Sequence, residues 1–494
     1  MTAENFGVPP HRPGAGAAKV IAVLAGAGIV SSTAQTLVVP LIPELPRIFD
    51  TSLANASWII TITLLTGAVA TPVVGRLADM YGKKRMLLIA VAPFMLGSIT
   101  CAIATDVGVM VVGRGLQGMA MGVVPLGISL MHDVLPPDRV GSAIALMSSS
   151  MGIGGALGLP LAAAVAEFAN WRLLFWFTTL AAALLAVAIW RIVPAHPPLP
   201  TAHRFDYLGA LGLIAGLGAL LLGISKGTEW GWASTATLGC FAAAAVVLTV
   251  WGWHQLRRGG PLVDLRTARI PAVLLTNIAS LLIGFAMYGM NLIVPQIMQL
   301  PVETGYGLGQ SMLLMGLWLA PMGLGMMAVS GLGARISRVH GPRVTLTLAG
   351  VVIAVGYGIT ALALGTLGNR PPGDADANVW PMLLVMLVST LSSGCGVGLA
   401  FGSMPALILA AVPPSEKAAA TGFNSLTRSI GTSTSAAVTG TILGAFTHSI
   451  GGAAVPSLTG LIIALLAGCG GAVLAAIIAS AIPRTPRSLR AGEA

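Results

Sequence analysis

The chain contains long stretches without a single charged side chain, and this feature restricts its fold more than any other. Only 9% of its 494 residues are charged, while 55% are hydrophobic. So few polar groups could not cover the surface of soluble domains. A bilayer-spanning helix needs about 20 mainly apolar residues, and uncharged stretches of about that length occupy 86–104, 208–225, 271–300 and 458–482. The sequence therefore predicts an all-α integral membrane protein.

Less apolar stretches extend this set to fourteen predicted transmembrane helices. Six precede residue 194, two lie between 194 and 270, and six follow. Their predicted bounds are 19–45, 53–75, 86–104, 107–132, 140–168, 171–193, 206–225, 233–254, 271–300, 309–334, 343–367, 380–412, 419–446 and 456–482.

The distribution of lysine and arginine predicts the orientation. With both termini in the cytoplasm, 20 of the 26 cationic residues fall in cytoplasmic segments and four fall outside. The other two, Arg114 and Arg428, lie within predicted helices. Cytoplasmic loops are the ones enriched in cations, so an even number of helices with cytoplasmic termini is expected.

An internal repeat predicts how the helices are grouped. Residues 37–45 (LVVPLIPEL) and 292–300 (LIVPQIMQL) share five of nine positions, and two further pairs of helix ends match in the same order. Such repeats are typical of transporters that have a cavity between two halves.

We therefore predict two copies of a six-helix unit separated by an extra pair of helices. The predicted domains are a cytoplasmic tail at 1–18, a first half at 19–193, a linker with two helices at 194–270, a second half at 271–482 and a cytoplasmic tail at 483–494.

The remaining composition argues against other classes of protein. The net charge is +10, but the cations lie between apolar stretches and form no basic stripe with aromatic residues. Each of the four cysteines lies in a different apolar stretch, which fits neither a disulfide framework nor a metal site. No loop is long enough for a soluble catalytic domain. We expect no enzyme activity, cofactor, metal or nucleic-acid partner.

Four motifs carry a resemblance to a known family. Residues 75–85 (GRLADMYGKKR) resemble the signature loop of the major facilitator superfamily, and 113–122 (GRGLQGMAMG) resemble its arginine motif. Residues 136–143 (PPDRVGSA) and 170–177 (NWRLLFWF) also match its usual pattern. With fourteen predicted helices, the chain is most similar to the drug:proton antiporters of the fourteen-span type.

The resemblance implies a secondary active transporter with the major-facilitator fold. It implies proton-coupled efflux of amphipathic drugs or natural-product antibiotics by alternating access across the plasma (inner) membrane. The expected partners are a small-molecule substrate, protons and the lipid bilayer, and we expect the protein to function as a monomer. Two alternatives remain open: uptake or facilitated exchange of a small metabolite by the same fold, and a membrane sensor without transport.

The first predicted helix departs from the family pattern at a position that matters for proton coupling. Ser31 stands where an aspartate is usual, nine residues before Pro40. The fifth helix has GLPLAA at 158–163 in place of the usual Gly-Pro-x-x-Gly-Gly. No predicted helix carries a carboxylate near its middle, so a proton must be carried by another group.

Three charged residues are candidates for coupling. An arginine in the hydrocarbon region costs at least about 2.5–3.5 kcal/mol, so Arg114 and Arg428 should face a cavity or a partner. The resemblance favours a coupling role for Arg114. The alternative for either residue is a hydrogen-bonded anchor between helices. The nearest carboxylates are Glu44 and Glu167, at the outer ends of the first and fifth helices, and Asp133, at the inner end of the fourth. Glu44 is the candidate that would exchange a proton for a cationic substrate. The alternative for all three is a solvated residue at a helix end.

Polar residues within the predicted helices are candidates for the substrate cavity. Thr36 and Asn291 occupy equivalent positions of the repeat, so both should face the seam between the halves. The alternative is that such groups only join neighbouring helices by hydrogen bonds. The full set of predicted cavity residues is Thr33, Gln35, Thr36, Gln117, Asn277, Asn291 and Asn424.

The charged loop at 75–85 predicts a conformational latch rather than a substrate site. Gly82 permits a tight turn, and Asp79 can pair with cations or with a helix N-terminus in one state and release them in another. The predicted latch residues are Gly75, Asp79, Gly82, Lys83 and Arg139.

Overall fold

The computed structural model describes residues 15–38, 41, 45–51, 53–195, 205–259, 261–263, 265–368, 378–413, 416–450 and 453–483, and these are almost entirely helical. In chain order the helices are α1 Ala15–Thr36, α2 Leu45–Ile48, α3 Leu53–Tyr81, α4 Lys83–Ala102, α5 Val107–Gly118, α6 Val123–Val134, α7 Pro137–Phe168, α8 Arg172–Ile192, α9 Tyr207–Trp230, α10 Thr235–Arg257, α11 Leu265–Ala268, α12 Pro271–Gln299, α13 Met312–Ala328, α14 Ser330–Val339, α15 Pro342–Leu367, α16 Trp380–Ala411, α17 Lys417–Ala445 and α18 Leu458–Ala481. Two strands, β1 Thr447–Ile450 and β2 Ala453–Pro456, pair antiparallel just before α18. This hairpin was not predicted from the sequence.

Thirteen helical segments are long and apolar enough to cross a membrane within the described ranges. Two of them combine consecutive helices: Val107–Val134 contains α5 and α6, and Met312–Val339 contains α13 and α14. The 29-residue helix α17 is not among the thirteen, because it is rich in serine, threonine and glycine. The chain is thus a helical multi-pass membrane protein, and the number fourteen stays a prediction.

The first predicted helix, 19–45, was too long. α1 ends at Thr36, and the next described helix is the four-residue α2. Pro40, Pro43 and Pro46 follow Thr36 closely. Proline lacks the N–H that a helix needs and disfavours helical geometry in the residue before it.

The fourth predicted helix is locally irregular. A 3-10 segment, Met119–Gly122, separates α5 from α6. Pro125 follows it, and its ring nitrogen cannot donate to the carbonyl of Met121, so the regular α-helical bonding is interrupted there.

Two glycines at equivalent positions of the predicted repeat make the same turn. Gly82 lies between α3 and α4 with a φ of 97°, and Gly341 lies between α14 and α15 with a φ of 92°. Side chains disfavour this region of backbone space, while glycine enters it freely. The structure therefore confirms the tight turn that was predicted at Gly82.

The apolar cores are mostly separate in the two parts of the chain that we call the first half (19–193) and the second half (271–482). Apart from Leu159, one large buried cluster consists of residues between Ala279 and Ile482. Two other clusters draw on α1 to α8, with Leu409 as their one buried member from the second half. Few residues of these clusters are shared, so each half has its own apolar core.

The extra pair of helices, α9 and α10, packs beside the junction of the halves. Leu213, Leu217 and Leu221 of α9 join a buried cluster with Ala68 of α3 and Leu426 of α17. This arrangement places α9 against one helix of each half.

Asp206 fixes the start of α9 and ties it to α10. Its carboxylate accepts hydrogen bonds from the Gly209 N–H (2.9 Å) and Gln255 Nε2 (2.9 Å), and it lies 3.2 Å from His254 Nε2 and 3.4 Å from Arg258 Nε. Burial favours the neutral acid, but these partners favour the carboxylate more strongly and hold the pKa of Asp206 below its usual range.

Candidate functional site

A central cavity lies between the two halves. It contains about 1750 Å³ of space not filled by protein, including the part open to solvent. Four helical segments of each half contribute to its wall. The lining residues include Gln35, Thr36, Arg114, Met121, Met151, Gly152, Met287, Tyr288, Asn291, Met322, Gly323, Met326, Phe401, Ser425, Arg428, Ser429 and Thr432.

Three of the predicted cavity residues line this space. Gln35 and Thr36 reach it from α1, and Asn291 reaches it from α12. Thr36 and Asn291 are the pair that the repeat placed at equivalent positions, and both face the junction of the halves. Their hydroxyl and amide groups are bonded to carbonyls one turn earlier in their own helices.

The other four predicted cavity residues join helices beside the cavity. Thr33 donates to the Gly154 carbonyl (3.2 Å), which links α1 to α7. Gln117 bonds to Arg114 and Ser98, which links α5 to α4. Asn424 and Asn277 bond to each other. These positions match the alternative interpretation, hydrogen bonding between helices, and a direct role with substrate stays a prediction for all seven residues.

The buried Asn277–Asn424 pair leads to a prediction about stability. Asn424 Nδ2 donates to Asn277 Oδ1 (2.9 Å) between α17 and α12. We expect Asn424→Ala to lower the free energy of unfolding by about 1–3 kcal/mol, because it leaves a buried amide without its partner. In a double-mutant cycle with Asn277→Ala, thermal unfolding of the purified protein should give a coupling of about 0.6 kcal/mol, the average for membrane helices. Strictly additive effects of the two substitutions would contradict this assignment.

Arg114 is a buried anchor at the edge of the cavity. Its side chain is 2% exposed. The guanidinium donates to the carbonyls of Ala34 (3.0 Å) and Ile59 (3.3 Å) and to Gln117 Oε1 (2.6 Å). It thereby fastens α5 to α1 and α3. These bonds satisfy much of its donor capacity, so its predicted coupling role would have to involve a rearrangement of them.

Arg428 is held more loosely than Arg114. It lies on α17, is half-buried and faces the cavity. Nη2 donates to Ser425 Oγ (3.2 Å), and the guanidinium carbon lies 4.6 Å from the centre of the Phe401 ring. An aromatic face attracts a cation and orients the planar guanidinium.

Tyr288 and Phe401 of the cavity wall were not predicted from the sequence. Tyr288 lies one turn before Asn291 on α12, and Phe401 lies opposite Arg428 on α16. Met121, Met151, Met287, Met322 and Met326 supply flexible apolar surface from both halves. The spacing of Tyr288 and Asn291 on one helix face was the available signal. The position of Phe401 depends on contacts between helices and has no local signal.

Asp79 lies where α3 ends and α17 begins, at the end of the protein that we call the cation-rich end. Its side chain is 4% exposed, and Oδ2 accepts a hydrogen bond from the Ala419 N–H (3.2 Å) in the first turn of α17. A carboxylate at a helix N-terminus is stabilised by the helix dipole. Asp79 thus joins the two halves through the kind of contact predicted for the latch. Oδ1 has no hydrogen-bond partner within the described ranges.

The other predicted latch residues differ in their contacts and exposure. Lys83 forms an ion pair with Asp133 and donates to the Ser129 carbonyl, both in its own half. Gly75 is buried in α3, and Arg139 is exposed at the start of α7. A second contact between the halves forms here, with Lys417 Nζ 3.2 Å from His132 Nδ1. The latch function of the whole set stays a prediction.

Glu44, the candidate for proton exchange, lies outside the described residues. The other acidic residues considered in the sequence are not in the cavity wall: Glu167 is exposed at the end of α7, and Asp133 pairs with Lys83. No carboxylate lines the cavity within the part of the chain that the structure describes.

The family follows from a match over most of the chain. The model of the Major Facilitator Superfamily matches residues 24–436, which include helices of both halves and the loop with Asp79. The chain belongs to the Major Facilitator Superfamily. Members of this superfamily are transporters of small molecules, so the central cavity is the natural place to look for a substrate site in this member.

This superfamily member is similar in sequence to proteins described as MFS-type transporters and as multidrug resistance proteins. It is 29% identical over 387 residues to an uncharacterized MFS-type transporter of Mycobacterium tuberculosis (strain ATCC 25618 / H37Rv), covering 77% of this chain and 52% of the relative. The chain thus spans about half the length of that relative. It is 27% identical over 427 residues to the multidrug resistance protein Stp of Mycobacterium tuberculosis (strain CDC 1551 / Oshkosh), covering 86% of this chain and 75% of Stp.

A solved structure supports the major-facilitator fold. The crystal structure of the human organic anion transporter MFSD10 (TETRAN) matches with a TM-score of 0.64 and 16% identity, covering 94% of this chain and 100% of that chain. At this identity the similarity shows the fold alone. The predicted superfamily and fold class are confirmed, and the predicted domain boundaries stay predictions.

Proposed function

We propose that this protein exports amphipathic small molecules, such as drugs or natural-product antibiotics, by alternating access. The observation that carries the proposal is the large central cavity. Its wall is mainly apolar, with a few hydroxyl, amide and guanidinium groups, and both halves contribute to it. Binding sites for drug-sized molecules usually combine an apolar wall with a small number of polar groups. Relatives described as multidrug resistance proteins agree with this function.

The contacts at the cation-rich end support the alternating-access part of the proposal. The halves meet there through a hydrogen bond from Ala419 to Asp79 and a contact between Lys417 and His132. Such contacts can break and re-form without exposing an apolar core. Their location fits a gate that is closed in this structure and opens when one half rocks on the other.

The proposed setting is the plasma (inner) membrane, with both termini in the cytoplasm and the protein working as a monomer. The cation bias supports this orientation, and it makes the cation-rich end the cytoplasmic one. In this setting the proposed gate at the cation-rich end, which is closed in this structure, faces the cytoplasm.

Transport assays in inverted membrane vesicles test the proposed function. Vesicles that contain a pH-sensitive dye are energised, and lipophilic cations, neutral antibiotics, amphipathic anions and sugars are added in turn. Dissipation of the pH gradient by amphipathic compounds supports proton-coupled efflux. A response to sugars alone would support the alternative, uptake or exchange of a metabolite. No transport of any compound, with the protein present in the membrane, would contradict the proposal.

The proposal makes Glu44 the proton-carrying group, since the described cavity wall contains no carboxylate. We expect Glu44→Gln to abolish transport driven by a pH gradient, because glutamine cannot bind and release a proton. Export by substrate exchange without a gradient should continue. The matched control is Glu167→Gln, which removes an exposed carboxylate at the end of α7. Unchanged proton-driven transport by Glu44→Gln in reconstituted vesicles would exclude this residue as the carrier.

A further inference from the structure

The ionised groups in the wall of the central cavity have only one sign. Among its described lining residues, the side chains charged at neutral pH are Arg114 and Arg428. Neither forms an ion pair with a carboxylate within the described ranges. A cation in a low-dielectric cavity without a counter-charge is unfavourable, so an anion that enters the cavity would be stabilised there.

The two arginines differ in their freedom to bind such an anion. Arg114 donates to two backbone carbonyls and to Gln117, and it is almost fully buried. Arg428 makes one hydrogen bond to the described part of the chain, to Ser425, and lies over the ring of Phe401. A guanidinium has five N–H donors in a fixed planar arrangement. Most donors of Arg428 are therefore available, and the aromatic ring restricts the orientation of the group.

The surroundings of Arg428 also fit the rest of an amphipathic molecule. Met151, Phe401, Met322 and Met326 present apolar surface in the same cavity, and Ser425, Ser429 and Thr432 lie on the same helix as Arg428. A substrate with an aromatic or aliphatic body could contact the methionines while its anionic group bonds to the guanidinium. Carboxylates and other oxyanions match the guanidinium geometry with two parallel hydrogen bonds.

From these observations we propose that the cavity selects amphipathic organic anions over cations, and that Arg428 is the residue that binds the anionic group. The inference rests on the proposed function, because it assigns a substrate class to the same cavity. It differs from the expectation in the sequence analysis that a cationic substrate is exchanged for a proton. A lipophilic cation would find no carboxylate in the described wall and would be repelled by both arginines.

The test uses three probes that share one fluorescent ring system and differ in charge: pyrenebutanoate, pyrenebutanamide and pyrenebutylammonium. Their affinities are measured with the purified full-length protein, and their export is measured in proteoliposomes. The variants are Arg428→Gln, which removes the charge, and Arg428→Lys, which keeps it. The matched control is Arg191→Gln, which removes an exposed cation at the end of α8, away from the cavity.

We expect the wild-type protein to bind the anion at least tenfold more tightly than the cation. Arg428→Gln should weaken binding of the anion by about tenfold, which corresponds to about 1.4 kcal/mol, and should change binding of the neutral amide less than twofold. Arg428→Lys should recover most of the affinity for the anion. Arg191→Gln should bind all three probes like the wild type.

Two results would overturn the inference. One is binding of the cation as tight as that of the anion by the wild type. The other is an equal loss of anion and amide binding in Arg428→Gln, which would indicate a structural role. If the amide is still exported in either case, the proposed transport function stands without this substrate preference. If no probe is bound or exported under any gradient, the proposed function fails together with the inference.

Discussion

Asp79→Asn is expected to slow transport about tenfold while the protein still inserts and folds. The substitution keeps an oxygen that can accept the Ala419 N–H but removes the negative charge at the N-terminus of α17. Hydrogen bonds to charged groups contribute about 1.5–3 kcal/mol and neutral ones about 0.5–1.5 kcal/mol. The loss of roughly 1.4 kcal/mol corresponds to a tenfold shift in the equilibrium between closed and open forms of the cation-rich end.

The measurement is export of a fluorescent substrate from proteoliposomes, with the amount of folded protein determined by size-exclusion chromatography. Asp133→Asn is the matched control, because Asp133 is an acidic residue at the same end whose ion pair with Lys83 stays within one half. The control should retain more activity than Asp79→Asn. Wild-type turnover by Asp79→Asn would exclude the latch.

Gly323→Ala is expected to reduce transport about as strongly as Asp79→Asn does. The reason is that Gly323 lies at the contact between α13 and α7. A Cβ atom at Gly323 would lie 2.2 Å from the Gly152 carbonyl oxygen and 2.4 Å from Ala156 Cβ. The first of these atoms belongs to the backbone, so the helices would have to separate. Overpacking typically costs about 1–3 kcal/mol, and here this free energy opposes the close approach of the two halves.

Gly358→Ala provides the control for Gly323→Ala. A Cβ atom at Gly358, on α15, would meet no other atom within 4 Å. This variant should transport within about twofold of the wild type, whereas Gly323→Ala should lose most of its activity at equal expression. Equal activity of the two variants would show that the α7–α13 contact does not limit transport.

The overall architecture could be predicted because it follows from local properties of the sequence. Uncharged stretches of helical length fixed most of the membrane-spanning segments, and the charged loop around Gly82 fixed a turn. The repeat placed Thr36 and Asn291 at the same junction, and both line the cavity. The bounds of the first helix were wrong, because the prolines after Thr36 disfavour a helix even though the apolar stretch continues.

The sequence alone could not predict which polar and aromatic side chains line the cavity. Polar residues such as Thr33 and Asn277 look alike in sequence whether they face a cavity or a neighbouring helix, since both positions are buried. Their partners, Gly154 and Asn424, are more than 100 residues away in the chain. Phe401 could not be identified as the partner of Arg428 for a similar reason, because the two lie on different helices. Only the packing of the helices distinguishes these cases.

The central claim is that the two halves rock about the cavity and that Asp79 holds the cation-rich end closed. It is tested most directly by the distance between spin labels at Ser142 on α7 and Arg338 on α14. Both positions are exposed, and they lie on helices of different halves that contact each other. The labels are attached to cysteines in a variant whose four native cysteines are replaced.

Double electron–electron resonance on this protein in lipid should give two distance populations. We predict that Asp79→Asn enriches the longer one, because the cation-rich end opens more often. A single distance that is identical in the protein with Asp79 and in the Asp79→Asn variant, with and without substrate, would contradict the account.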